Sequence, residues 1–229
     1  MKKYVMIILG DLFFMNKERI LKNTTHWYEW RQKADKKTML LLSLLFACLT
    51  GIMGQIVFTI PGTTIITTPQ VLVVLMAGII LGEKYGAISM ALFMIIGLLG
   101  VPWFSFGNGG FNGAAENIGF LSGFIFAATF TGYVFDNYQT SHKPLKCFLL
   151  MLFADIILIH TCGCIGLFIV LITRGVKISL ISLLIVKFVP NIVRNTLEAL
   201  ITTLITSLIA PKDPTKLDTQ KTKIIRRKK

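Results

Sequence analysis

Along the chain, long apolar runs alternate with short polar joints, and both ends are polar. The apolar runs lie at about residues 39–60, 70–81, 87–101, 118–135, 145–173 and 190–210. Runs of this kind predict six helices crossing a bilayer, whose hydrocarbon core takes roughly 20 apolar residues per helix. Pro61-Gly62-Thr63-Thr64 predicts a turn, and Gly82-Glu83-Lys84-Tyr85-Gly86 a tight connection. The third run is expected to end at Val101, because Pro102 biases the residue before it away from helix. Asp136 to Lys146 reads as a polar connection. Residues 174–189 are apolar but broken by Lys187, and read as a return segment into the last helix. Pro190 suits the first position of that helix.

Composition agrees with this pattern. Of 229 residues, 54% are hydrophobic and 15% charged, and mean hydropathy is +0.70. A soluble domain carries about a quarter charged residues. The chain therefore reads as one membrane domain, 38–210, between a basic N-terminal segment, 1–37, and a basic tail, 211–229. The tail is expected to be disordered. Met15 begins a more natural start than Met1, and residues 16–37 interleave basic residues with Trp27, Tyr28 and Trp30, as in a segment lying at the lipid headgroups.

The net charge of +13 does not indicate nucleic-acid binding, since the basic residues sit in the flanks. If six helices cross, 20 Lys and Arg fall on one side and only Arg174, Lys177, Lys187 and Arg194 on the other. The excess of cations on the cytoplasmic side then puts both termini in the cytoplasm. The four cysteines lie in or beside apolar runs and imply no disulfide framework.

The stretch Gly97–Gly123 interrupts the pattern most. Gly107, Gly109, Gly110 and Gly113 predict irregular backbone that a ligand can approach closely. Trp103, Phe104, Phe106 and Phe111 supply flat apolar surface that needs burial, while Asn108, Asn112 and Asn117 supply donors and acceptors. Aromatic walls with a few fixed polar groups suit a small-molecule pocket. With both termini inside, this loop, the turn near 61–69 and the start of the last helix share the outer face.

That last helix carries Asn191, Arg194, Asn195 and Glu198 at i, i+3, i+4 and i+7, which is one face, and Thr202 extends it. Ionisable residues at membrane depth face protein or a watery cavity. Arg194 reads as the anchor of a ligand carboxylate, or as the partner of Glu198. Asp155 and His160 interrupt the fifth run; five residues apart on an α-helix, they point in different directions. Cys162 and Cys164 stand ~200° apart on such a helix and do not chelate one ion together with His160. No metal or other cofactor is expected. Neither a phosphate-binding Gly-x-x-x-x-Gly-Lys-Ser/Thr run nor a hydrolase elbow or metalloprotease helix is present, so energy must come from a partner.

On the first run Ser43, Ala47 and Gly51 recur every fourth residue, a small-residue face suited to close helix contact. It either packs within the protein or docks a partner.

The order Thr68-Pro69-Gln70, Ala77-Gly78, Leu81-Gly82, Gly86-Ala87, then Gly97-Leu-Leu-Gly100-Val-Pro102-Trp103-Phe104 and Gly107-Asn-Gly109-Gly110 closely resembles the biotin-specific substrate-binding subunits of energy-coupling-factor transporters, the BioY family. The resemblance spans roughly 39–210. It implies an all-α integral membrane protein of six transmembrane helices with an outward-facing ligand pocket. It implies biotin, or a related small carboxylate such as lipoate, as ligand. It also implies a transmembrane coupling subunit and two cytoplasmic ATPases as partners. The family's Gly-Pro-Thr-Gly-Gly-Tyr-like run is Ala115-Glu116-Asn117-Ile118-Gly119-Phe120 here. Its Pro-Gly-Asp-x-x-Lys start of the last helix becomes Pro190-Asn191-Ile192-Val193-Arg194. With one residue deleted, Asn191 stands for the Asp and Arg194 for the Lys; without the gap, Ile192 and Asn195 do.

The expected substrate-binding set is thus Gln70, Trp103, Phe104, Asn108, Asn112, Asn117, Asn191, Arg194 and Asn195. Ser43, Ala47 and Gly51 are the expected docking face for the coupling subunit. The competing reading is a proton-coupled carrier or membrane enzyme built on Asp155, His160 and Glu198.

Overall fold

The computed structural model describes residues 30–31, 34–59, 66–138, 141, 143–188 and 191–209. Most of both basic flanks, the Pro61–Thr64 turn, Pro190 and the question of Met15 lie outside these residues, as does the side chain of Lys187.

The first helix, α1 (Lys36–Gln55), starts at Asp35, whose side chain accepts from the Thr38 amide at 3.2 Å. This satisfies one of the orphan donors of a helix start. Bonds from the Thr38 hydroxyl and amide hold the Asp35 carboxyl below the usual carboxylate range. One face of α1 is leucine-rich and exposed (Leu40, Leu41, Leu44, Leu45), as expected against lipid. Its small-residue face turns inward. Ser43 and Ala47 are fully buried, the Ser43 hydroxyl donates to the Tyr85 carbonyl at 3.1 Å, and Trp103 covers Gly51. The reading of Ser43, Ala47 and Gly51 as a partner-docking face is therefore corrected: the protein's own backbone and Trp103 occupy that stripe.

Two short strands, β1 (Phe58–Thr59) and β2 (Ile66–Thr67), pair antiparallel, Phe58 opposite Thr67. Helix α2 (Gln70–Leu98) follows and ends three residues before the expected Val101. Its only non-helical residue is Gly82, at φ 79° and ψ 178°. Positive φ is open to glycine without the Cβ clash other residues suffer. The kink is sharp enough to bring its two sides together. A Cβ on Gly86 would lie 3.0 Å from the Gly78 Cα, although eight residues of straight helix span ~12 Å. The expected connection at 82–86 is thus a single-residue reversal, and helix resumes at Glu83.

The glycine-rich loop is more regular than its composition suggests. It holds a 3₁₀ turn (Ser105–Gly107) and a short helix, α3 (Gly110–Ala114). The Phe104 amide donates to the Asn108 carbonyl at 2.9 Å, closing a tight ring of backbone. Gly107 and Gly110 have positive φ, whereas Gly109 is extended and packed against the Val101 carbonyl. The close approach at Gly109 is to the protein's own backbone.

Helix α4 (Ile118–Asn137) crosses α2 through glycine. A Cβ on Gly132 would meet the Gly78 carbonyl oxygen at 2.7 Å and the Glu83 nitrogen at 2.5 Å. Lipid tails are as apolar as leucine, so such backbone contact, rather than hydrophobic burial, supplies much of the attraction between membrane helices. Next come α5 (Pro144–Phe153), a π-helical segment (Ala154–His160) and α6 (Thr161–Thr173), together one long apolar rod. The return segment forms α7 (Leu180–Phe188), and the last helix is α8 (Ile192–Ile209).

Among the described residues, four helical stretches are long and apolar enough to cross a membrane: Lys36–Gln55, Gln70–Leu98, Ile118–Asn137 and Pro144–Thr173. The core centres on α2, where Val74, Leu75, Ala77, Met90 and Phe93 are inaccessible to solvent. Beside the reversal, Arg31 caps the carbonyls of Ile79 and Ile80 and pairs with Asp136 at 2.5 Å.

Candidate functional site

A cavity of about 310 Å³ opens where the start of α2, the glycine-rich loop, α4, the π-helical segment and the start of α8 meet. Ligand pockets run from roughly 300 Å³ upward. Val71, Phe104, Phe120, Leu121, Phe124 and Ile159 form its apolar wall; Thr68, Gln70, Ser105, Asn117, His160, Asn191 and Arg194 supply polar groups.

Each wall is fixed by contacts behind it. Phe104 is buried edge-on against Phe93, with ring centroids 5.5 Å apart, and Phe93 also faces Trp103 and Phe124. A Cβ on Gly97 would fall inside the Phe104 ring, so glycine there lets the ring reach the cavity. The Gln70 oxygen accepts from the Ser105 hydroxyl at 2.8 Å, while its nitrogen donates to the Thr50 carbonyl at 3.2 Å. Gln70 therefore ties the loop to α1 and α2 as well as bordering the cavity.

Of the sequence-predicted residues, Gln70, Phe104, Asn117, Asn191 and Arg194 border the cavity. Trp103 stands behind it, its ring nitrogen donating to the Phe93 carbonyl at 3.0 Å. Asn195 is buried beneath Arg194, whose Nη2 donates to its Oδ1 at 3.0 Å. Asn108 and Asn112 are corrected: both are exposed and neither borders the cavity. The Asn108 amide instead donates to the Ser105 carbonyl at 2.9 Å, bracing the loop. Phe111, expected to need burial, is 76% exposed, and the Phe106 side chain lies outside the described residues.

The largest correction concerns Asp155 and His160. On an α-helix they diverge, but the chain between them is π-helical. Hydrogen bonding from i to i+5 brings residues five apart onto one face. His160 Nδ1 accordingly lies 3.1 Å from the Asp155 carbonyl oxygen and 3.3 Å from its carboxylate Oδ1. The other ring nitrogen, Nε2, stands 2.7 Å from Arg194 Nη2. A guanidinium only donates, so Nε2 accepts and the ring proton sits on Nδ1, facing Asp155. Asn195 Nδ2, 3.5 Å from that Nδ1, is too distant to oppose this tautomer.

Glu198 completes the row. Its Oε1 is 3.8 Å from Arg194 Nε and accepts from the Thr67 hydroxyl at 3.4 Å. The closest contact of Arg194 is thus with His160, and Glu198 is its outlying partner. His160, Phe120, Phe124, Thr68 and Ser105 were absent from the expected set. Of these His160 left a signal as an ionisable residue in an apolar run, and Thr68 and Phe120 stood within the stretches that carry the family resemblance.

The profile described as BioY family matches residues 24–214. A relative in Methanothermobacter thermautotrophicus, named probable biotin transporter BioY, is 35% identical over 144 residues, which cover 61% of this chain and 90% of that protein. Another with the same name, in Lysinibacillus sphaericus, is 29% identical over 164 residues, 71% of this chain and 82% of that protein. Among solved structures, the S-component for biotin from an ECF-type ABC transporter aligns with a TM-score of 0.60 and 21% identity, over 81% of this chain and 93% of that one. That likeness establishes a shared fold. Since the family profile spans most of its length, the chain belongs to the BioY family.

Proposed function

We propose that this chain is the substrate-binding subunit of an energy-coupling-factor uptake transporter, and that its substrate is biotin. The observation that carries the reading is a cavity of about 310 Å³ with aromatic walls and one guanidinium, Arg194, at its edge. Biotin combines an apolar ring and chain with a polar head and a carboxylate. Phe104, Phe120 and Phe124 suit the apolar part, and Arg194 suits the carboxylate through a paired, charge-assisted contact. Asn117, Asn191 and Gln70 suit the polar head. Trp103 and Asn195 support this set from behind.

Membership in the BioY family and two relatives named probable biotin transporter BioY support the substrate. The solved neighbour's description as an S-component supports association with a transporter assembly. The partners proposed are a transmembrane coupling subunit and two cytoplasmic ATPases. Division of α2 at Gly82 supports six spans: α1, the two legs of α2, α4, the rod from α5 to α6, and α8. The distribution of Lys and Arg supports cytoplasmic termini and a cavity facing outward.

The test is binding by the purified chain in detergent without ATP or a proton gradient. Biotin should be held at sub-micromolar concentration and be found by mass spectrometry in unsupplemented preparations. Retention of a different carboxylate, such as lipoate, with no biotin binding would overturn the substrate assignment. Uptake by this chain alone, abolished by an uncoupler, would overturn the assignment of its energy source.

A further inference from the structure

The polar row beneath the cavity contains two carboxylates for one guanidinium. Asp155 is fully buried; its Oδ1 meets His160 Nδ1 at 3.3 Å, and its Oδ2 has no hydrogen-bond partner. Glu198 is 7% exposed; its Oε2 also has no partner, and its Oε1 has only Thr67 and, at 3.8 Å, Arg194. The ionisable groups acting on Glu198 are Arg194 from its own helix and Asp155 from the π-helical segment. His160 from that segment joins through Arg194, while β2 offers only the Thr67 hydroxyl and α4 presents the Phe120 ring to His160.

This inventory constrains ligand binding. A carboxylate arriving at Arg194 joins two buried carboxyl groups beside one cation, at membrane depth where uncompensated charge is costly. Arg194 is already the only cation beside Glu198 among the described residues, and its reach to Glu198 is its longest contact in the row. The incoming carboxylate competes for that cation directly. His160 already meets the guanidinium through its Nε2 at 2.7 Å. Asp155 meets His160 at Nδ1, the ring nitrogen that does not face Arg194.

Resting on the reading of Arg194 as the carboxylate anchor, we propose that Glu198 is a proton-binding site linked to ligand occupancy. The ligand carboxylate displaces Glu198 as counter-ion of Arg194, and a proton from the medium takes the place of Arg194 on the freed Glu198 carboxylate. Binding is then uptake of one carboxylate and one proton together, with no net charge added to the site. The linkage arises from the exchange of partners and requires no gradient.

The experiment is titration calorimetry of the purified full chain with biotin, repeated in buffers of different ionisation enthalpy. The slope of observed against buffer enthalpy counts protons, and uptake approaching one per biotin is expected at a pH where Glu198 is ionised in the free protein. Affinity should rise as pH falls, by up to about tenfold per unit. Biotin methyl ester, lacking the charge, should bind wild type with no proton uptake. E198Q should abolish the uptake and flatten the pH dependence, whereas D155N should keep both. Wild type binding biotin without proton uptake, or D155N rather than E198Q abolishing it, overturns the proposal. If biotin gives no heat at all, the substrate reading fails instead. The series is then run with lipoate, whose carboxylate makes the same demand, and absence of proton uptake there overturns the proposal too.

Discussion

Replacing Arg194 with alanine tests the site most directly. The guanidinium is 18% exposed, so a carboxylate meeting it is only partly shielded by water. Two unit charges about 4 Å apart in an effective dielectric of about 20 attract by ~4 kcal/mol. Desolvating the incoming carboxylate offsets part of this and leaves about 2–4 kcal/mol. At 1.4 kcal/mol per decade, that corresponds to a loss of roughly 30- to 1,000-fold in biotin affinity. Lysine should recover part of it, as a point charge without the planar fork. Calorimetry or equilibrium binding with biotin and its methyl ester provides the assay. The ester should bind wild type poorly and lose little more in Arg194→Ala. Equal losses for acid and ester would refute the anchor and leave Arg194 as a structural partner of His160 and Asn195.

Three further outcomes are expected. Gly97→Ala gains about 1 kcal/mol in helix propensity but drives a methyl group into the Phe104 ring and to 2.6 Å from Trp103 Nε1. Overpacking of this kind costs about 1–3 kcal/mol, so thermal stability and biotin affinity should fall together in a melting and binding series. Arg31→Ala leaves Asp136 facing the reversal at Gly82 without its guanidinium, and should lower stability by about 2–4 kcal/mol while sparing the affinity of folded protein; Asp136→Asn in the same background should restore part of the melting temperature. Asn112→Ala, at an exposed residue away from the cavity, should change biotin affinity less than twofold in the same assay, within the ±0.5 kcal/mol usual for such sites.

The sequence was most readable where a pattern repeats. Apolar runs located α1, α4 and the α5–α6 rod within a few residues, and Gly82 marked the break in α2 because glycine is the residue that tolerates that backbone. One face of the last helix was readable for the same reason, since Asn191, Arg194, Asn195 and Glu198 obey the α-helical period. The period misled where the helix changes type. Asp155 and His160 seemed to diverge because 3.6 residues per turn was assumed for a segment that forms i to i+5 bonds. The Ser43, Ala47, Gly51 stripe showed that some helix could approach closely but not which one. The answer lay in Tyr85 and Trp103, far along the chain. Within the loop, composition gave aromatics and asparagines without direction. The Phe104–Asn108 bridge turns Phe104 inward and leaves Asn108 exposed, and it depends on Gly107 at positive φ.

The reversal at Gly82 also bears on how α2 and α4 can move against one another. The leg of α2 from Gln70 to Leu81 is twelve residues, or ~18 Å. Its far end is held among the charged groups of Arg31 and Asp136, and its near end, at Gln70, borders the cavity. Beyond the cavity lies a layer in which α2 and α4 meet backbone to backbone at Gly78 and Gly132. Glycine has no side chain to swing aside, so no rotamer change loosens that contact. Parting α2 from α4 at that contact therefore takes displacement of one whole helix against the other.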